Sequence, residues 1–183
     1  MSKKNLEYPT EILGIFLKGI KRGLSRSLFY LWLIISSFLF FGIYFEYFNV
    51  DSFSVSDYLS VCMAGLSFTF ALFNISKSTF EIDELKNLMV YEGRLNSGRK
   101  VKKGELFFEY LSPFILTTTI LAFLSIVSLL APFLRIDIND GWLPYFKTFY
   151  LSFMILGIFS LLNITYMAIE DLSNSILRKS KDD

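Results

Sequence analysis

The apolar positions of this chain fall in four long blocks, and the charged positions fall between them. Leu28–Phe48 is the first block, Tyr58–Ser76 the second, Tyr110–Leu134 the third and Trp142–Ala168 the fourth. The first three blocks hold one charged residue, Glu46, and the fourth holds only Lys147. A hydrocarbon layer about 30 Å thick takes about 20 residues of helix. In water, four such helices would have no polar face to show. In lipid they must be helices, because a helix satisfies its own backbone hydrogen bonds. The pattern therefore predicts an all-α integral membrane protein with four transmembrane helices. The first block is expected to be retained as a span, since it is longer than a leader's apolar core and no small-x-small site precedes Asp51 and Asp57.

Composition agrees with the pattern. The chain is 53% hydrophobic and 18% aromatic, with mean hydropathy +0.48, above the usual apolar share of soluble domains. Its net charge is only +1, but that figure hides an asymmetry. Basic residues in short flanking segments mark the cytoplasmic side of a membrane protein. Lys3, Lys4, Lys18, Lys21, Arg22 and Arg26 precede the first block, and Lys77, Lys86, Arg94, Arg99, Lys100, Lys102 and Lys103 lie in the middle connection. Arg178, Lys179 and Lys181 lie in the tail, while Arg135 and Lys147 alone fall on the other side. Both termini and the middle loop are thus expected in the cytoplasm, with two short outer loops. The layout divides the chain into a cytoplasmic N-terminal segment 1–27, a first hairpin 28–76, a basic loop 77–109, a second hairpin 110–168 and a tail 169–183. Anionic headgroups account for the basic face. Direct nucleic-acid binding is not expected, since aromatics are not interleaved with the basic residues as a stacking platform requires.

Two cytoplasmic stretches carry helical periodicity. In Thr10–Leu24, Ile12, Ile15, Phe16 and Ile20 share a face and Thr10 is a plausible N-cap after Pro9. Such a basic amphipathic helix before a span suits an interfacial anchor, or a docking helix. In Thr79–Leu95, Ser78 and Glu81 have capping-box spacing, and Ile82, Leu85, Leu88 and Met89 form one apolar stripe. That stripe needs a cover, either a neighbouring subunit or a cytoplasmic protein partner. Asn96–Gly104 reads as a flexible basic linker at the lipid surface, and its glycines lack P-loop spacing.

Polar groups inside a span are costly and each needs a reason. Glu46 and Lys147 lie at similar depth near the outer surface, and are expected to pair with each other, face water or snorkel. Asn74 and Asn163 lie near the inner ends of the second and fourth spans, in the related strings FNIS and LNIT. Both match the N-glycosylation pattern but are placed on the cytoplasmic side, where that modification does not occur. They are candidates for interhelical hydrogen bonds, and the repeated string hints at a duplicated hairpin. The third span carries Thr117, Thr118, Thr119, Ser125 and Ser128. A hydroxyl row of this kind is either a packing face, with the hydroxyls bonded back to their own helix, or a pore lining.

Several chemistries are excluded. The chain has no histidine, which removes the usual general base, the Ser-His-Asp triad and imidazole zinc sites. The single cysteine, Cys62, forms no intrachain disulfide and nucleates no metal cluster. No carboxylate pair lies deep in the membrane. No catalytic residue, metal or cofactor is therefore expected, and the chain is not read as an enzyme.

Two classes of function remain. One is a homo-oligomeric subunit of the bacterial inner membrane that anchors, or signals to, a cytoplasmic partner. The other is a self-contained pore-forming effector that depolarises the membrane, with the hydroxyl row of the third span turned inward. In length, in its four blocks at 28–48, 58–76, 110–134 and 142–168, and in its cytoplasmic middle loop, the chain resembles small four-span membrane subunits of prokaryotic anti-phage systems such as Kiwa. That resemblance, one of layout, implies an oligomeric inner-membrane component working with a cytoplasmic effector in antiviral defence.

Overall fold

A computed structural model describes residues 23–50, 52–79, 82–94, 98, 100–101, 103–133 and 141–182. The reading of Thr10–Leu24 as an amphipathic helix lies almost wholly outside them. Four long helices make the body: α1 (Arg26–Tyr44), α2 (Leu59–Thr79), α4 (Glu105–Leu130) and α5 (Leu143–Asp182). A short helix, α3 (Ile82–Val90), and a two-stranded antiparallel ladder, β1 (Gly93–Arg94) with β2 (Lys100–Val101), join α2 to α4. All four long helices are long and apolar enough to cross a membrane.

α4 is the central helix. It packs against both α2 and α5, which also touch each other, whereas α1 lies mainly against α5. The close contacts follow from small residues. Leu121 of α4 projects between Gly65 of α2 and Gly157 of α5. A Cβ at either glycine would stand 3.0 or 3.2 Å from the Leu121 methyls, so a larger residue would push the helices apart. The buried apolar residues form two groups. Cys62, Leu116, Ile120, Leu124, Tyr150 and Met154 fill one half of the body, and Leu72, Phe114, Ile164 and Ala168 the other. α1 contributes little to either. Only Ser36 and Gly42 are buried on it, and Phe29, Leu31, Leu33, Ile34, Phe38 and Phe41 are exposed.

The observed ends differ from the apolar blocks in instructive ways. α1 stops at Tyr44, before the block ends at Phe48. The Glu46 amide bonds the Ile43 carbonyl at 3.0 Å and the Tyr47 amide bonds the Gly42 carbonyl at 2.8 Å. This pair of bonds is a Schellman termination, with Glu46 in the left-handed conformation at φ 59°. The Phe48 ring then folds onto Gly42, where a Cβ would lie 2.1 Å from it. Thr79 ends α2, so Ser78 lies inside that helix. α3 is shorter than the periodicity of 79–95 suggests. Asn96–Gly104, read as a flexible linker, instead contributes β2, and Val101 is buried there. A single β-branched apolar residue among basic neighbours pins the segment, while Gly98 and Gly104 take φ 78° and 80°.

α4 begins at Glu105, so Pro113 lies two turns inside the helix. The division at 168/169 between span and tail is a change of composition within one helix. α5 continues without a break to Asp182, 40 residues in all, because no glycine or proline follows Gly157.

The left-handed residue at the end of α1 gives a first prediction. A non-glycine residue there costs about 1 kcal/mol, and the Glu46 side chain is exposed. Glu46→Gly is expected to raise the unfolding midpoint in detergent. An unchanged or lower midpoint would show that the carboxylate contributes more than the backbone strain removes.

Candidate functional site

The polar side chains of α5 are the chemistry of this body, and they face three different neighbours. Nearest its start, the Lys147 ammonium donates to the Val50 carbonyl at 3.0 Å and so ties down the α1–α2 connection. Glu46 is exposed, and it forms no ion pair with Lys147 among the described residues. One turn further on, the Tyr150 hydroxyl lies 2.6 Å from the Ser128 hydroxyl of α4 and 3.7 Å from the Cys62 sulfur of α2. Three helices meet at that phenol, which is 2% exposed.

Ser152 serves α1. Its hydroxyl lies 2.6 Å from that of Ser36, and its carbonyl accepts the Trp32 indole N–H at 2.9 Å. Two turns later the Ser160 hydroxyl sits 2.5 Å from the Thr117 hydroxyl of α4. Asn163 donates its Nδ2 to the Gly23 carbonyl at 3.2 Å. Gly23 is held so closely to α4 that a Cβ would stand 2.6 Å from that of Leu116. Further along, the Tyr110 hydroxyl of α4 lies between Ser76 of α2 and Asp171 of α5.

These contacts sort the residues singled out from sequence. The hydroxyl row of the third span is internal. Thr117, Ser125 and Ser128 are buried within the body, and Thr118 is half-buried. Thr117, Ser125 and Ser128 each donate back to the carbonyl four residues earlier, at 2.8–2.9 Å. Thr117 and Ser128 also meet hydroxyls of α5, through Ser160 and Tyr150. Asn163 makes a tertiary hydrogen bond, but Asn74 is exposed. The FNIS and LNIT strings are not equivalent in space, since Ile75 is exposed and Ile164 fully buried. The hint of a duplicated hairpin therefore has no counterpart in the packing. Leu88 and Met89 of α3 are half-buried, beside exposed Val90 and Tyr91, and α3 packs on α4. The side chains of Ile82 and Leu85 lie outside the described residues.

Trp32, Tyr150, Ser152, Ser160, Tyr110 and Asp171 carry tertiary contacts that the sequence reading missed. Their signal is hard to see because α5 touches several neighbours, so its polar residues never line up as one stripe. One cue exists: Ser152 and Asn163 stand three full turns apart and both hold the chain leading into and through α1.

Chemically, the set consists of hydroxyls, one thiol, one indole and one amide. These groups fasten one helix to another. An apolar pocket of about 40 Å³ between α2, α4 and α5, lined by Val61, Cys62, Leu121, Leu124 and Met154 among others, is little larger than a water molecule. Among the described residues no group of three His, Cys, Asp or Glu side chains is arranged to hold a metal ion.

Two predictions follow from the geometry. Tyr150→Phe and Ser128→Ala are each expected to destabilise the protein in detergent. In a double-mutant cycle the pair should couple by about 0.6–1.7 kcal/mol, the range for such bonds between membrane helices. Additive effects would show that the two hydroxyls do not bond. Lys147→Met keeps the apolar stem and removes the donor to Val50. It is expected to lower the unfolding free energy by about 1.5–3 kcal/mol for a charged donor, and to speed proteolysis of the 45–54 connection. Unchanged proteolysis would mean that other contacts hold that loop.

The chain matches no family model, no curated protein and no solved structure, so the functional reading rests on its own residues and geometry.

Proposed function

We propose that this chain is a non-enzymatic subunit of a bacterial inner-membrane assembly, with four spans, that homo-oligomerises and anchors or signals to a cytoplasmic protein. Both termini and the 77–109 connection lie in the cytoplasm in this reading, as the distribution of Lys and Arg favours. The setting, prokaryotic antiviral defence, is suggested by whole-chain layout.

One observation carries the proposal. The parts able to recognise another protein are gathered at a single end of the body. Gly23, the end of α2, the start of α4 and the second half of α5 meet there, around Ser76, Tyr110 and Asp171. α3 and the β1–β2 ladder sit at that end, with Val90 and Tyr91 exposed. At the opposite end the connections are short and tied down by Lys147. Inside the body Tyr150 meets Ser128, Ser152 meets Ser36 and Ser160 meets Thr117, and this supports a scaffold over a conduit. The burial of Thr117, Ser125 and Ser128 within the subunit favours this reading over the pore-forming alternative.

The test has two parts. Reporter fusions after Asp51, Gly98 and Gly141 are expected to place 98 on the cytoplasmic side and the other two outside. The opposite pattern would overturn the orientation. Purification with the products of neighbouring genes is then expected to retain a cytoplasmic protein. Leu88→Asp with Met89→Asp should release that protein while leaving the chain in the membrane. If nothing is retained, and the chain alone makes liposomes leak ions, the pore reading replaces this one.

A further inference from the structure

Positive charge is not spread evenly along the 77–109 connection. The 93–104 stretch carries five basic residues and no acidic one, while the rest of the connection holds two basic residues against six acidic ones. Glu92 and Glu105 border the stretch on either side, and with both counted it keeps an excess of three positive charges.

The β1–β2 ladder gives two of these charges a fixed relation. Gly93 pairs with Val101, and Arg94 with Lys100. Residues directly opposite in an antiparallel pair stand about 5 Å apart, and like charges so placed repel. Val101 is 3% exposed and holds the strand to the body, while Lys100 beside it is exposed. Among the described residues no ion pair neutralises Lys100 or the exposed Lys103. An anion seated between the two strands turns this repulsion into attraction.

The ladder adjoins the membrane-crossing lengths of two helices. One candidate span ends at Lys77 and the next begins at Glu105, so Lys103 stands two residues from an apolar run. Tyr91 lies against Gly93, where a Cβ would be 3.3 Å from the phenol oxygen. Tyr91 and Val90 are 39% and 51% exposed. An amphipathic ring of this kind belongs at headgroup depth.

We propose that the β1–β2 ladder binds the headgroup phosphate of an anionic phospholipid between Arg94 and Lys100, with Lys103 beside it. On the reading above that the chain is inserted, this adds a lipid to the partners of that end. Lipid is favoured over a soluble phosphate or an acidic protein because the cations adjoin two spans. A ligand with acyl chains also covers Val90 and Tyr91, as a free phosphate does not.

The full chain, purified in a neutral detergent, is titrated with phosphatidylglycerol and with phosphatidylcholine, and bound lipid is counted by native mass spectrometry. Preferential retention of phosphatidylglycerol is expected. A cation near an anionic surface contributes about fivefold in affinity, so Arg94→Gln with Lys100→Gln is expected to weaken that binding roughly 25-fold. Lys77→Gln with Lys86→Gln removes as much charge elsewhere on the connection and is expected to change it by no more than about twofold. Should the ladder variant unfold, Lys103→Gln, outside the strands, is expected to weaken binding about fivefold. Equal loss in both double variants would mean a diffuse positive surface and overturn the site, as would equal retention of the two lipids by the unaltered chain. Displacement of the lipid by glycerol phosphate or by an oligoglutamate peptide at comparable concentration would overturn lipid as the ligand, in favour of a soluble phosphate or a protein respectively. Binding in detergent does not depend on which side of the membrane carries the ladder, so a reversed orientation in the fusion experiment leaves this result standing. Carbonate extraction of native membranes reports insertion separately.

Discussion

Four helices long and apolar enough to cross a membrane must satisfy their polar side chains mostly with protein groups, and in this molecule α5 is where those groups meet. Each hydroxyl withdrawn from water must find a partner or cost free energy. Tyr150 reaches α4 and α2, Ser152 reaches α1, and Ser160 returns to α4. Each bond is modest, about 0.6 kcal/mol on average between membrane helices. Their value lies in direction. Lipid tails are as apolar as leucine, so apolar burial alone does not fix which face of one helix meets which face of another. Hydrogen bonds at several depths set both rotation and height. Leu121, seated between Gly65 and Gly157, adds a steric constraint at the same three-helix junction.

Much of the architecture was legible in the chain because lipid imposes a length rule that apolar runs display directly. The four blocks became four helices. Their boundaries were less legible, since helix ends answer to local backbone geometry. α1 ends where Gly42 and Glu46 close a Schellman turn, inside an apolar block that continues to Phe48. α5 outruns its block because nothing after Gly157 breaks a helix, and polarity by itself does not. β2 was invisible because a two-residue strand has no period; only Val101 among the lysines hinted at an anchor.

The internal contacts were legible only in kind. That hydroxyls in the third span would bond back to their own carbonyls follows from serine and threonine chemistry. Which of them would also reach α5 does not, because rotation about the helix axis is decided jointly by three neighbours. Asn74 and Asn163 show the limit. Their local strings are nearly alike, yet Ile75 looks outward and Ile164 inward. Lys147 shows another. A lysine near a membrane surface reads as a charge seeking water or a carboxylate, and here a backbone carbonyl receives it.

The continuity of α5 has a mechanical consequence. Asn163, bound to the Gly23 carbonyl, is the last fixed point the helix shares with the chain leading into α1. From there to Asp182 the helix runs on for about 28 Å at 1.5 Å per residue. Because the helix is continuous, a motion at its start is carried toward its end. A tilt of about 10° pivoting near Asn163 carries the far tip by about 5 Å, close to one helical turn. A displacement of that size is large enough to make or break a side-chain contact at the far end.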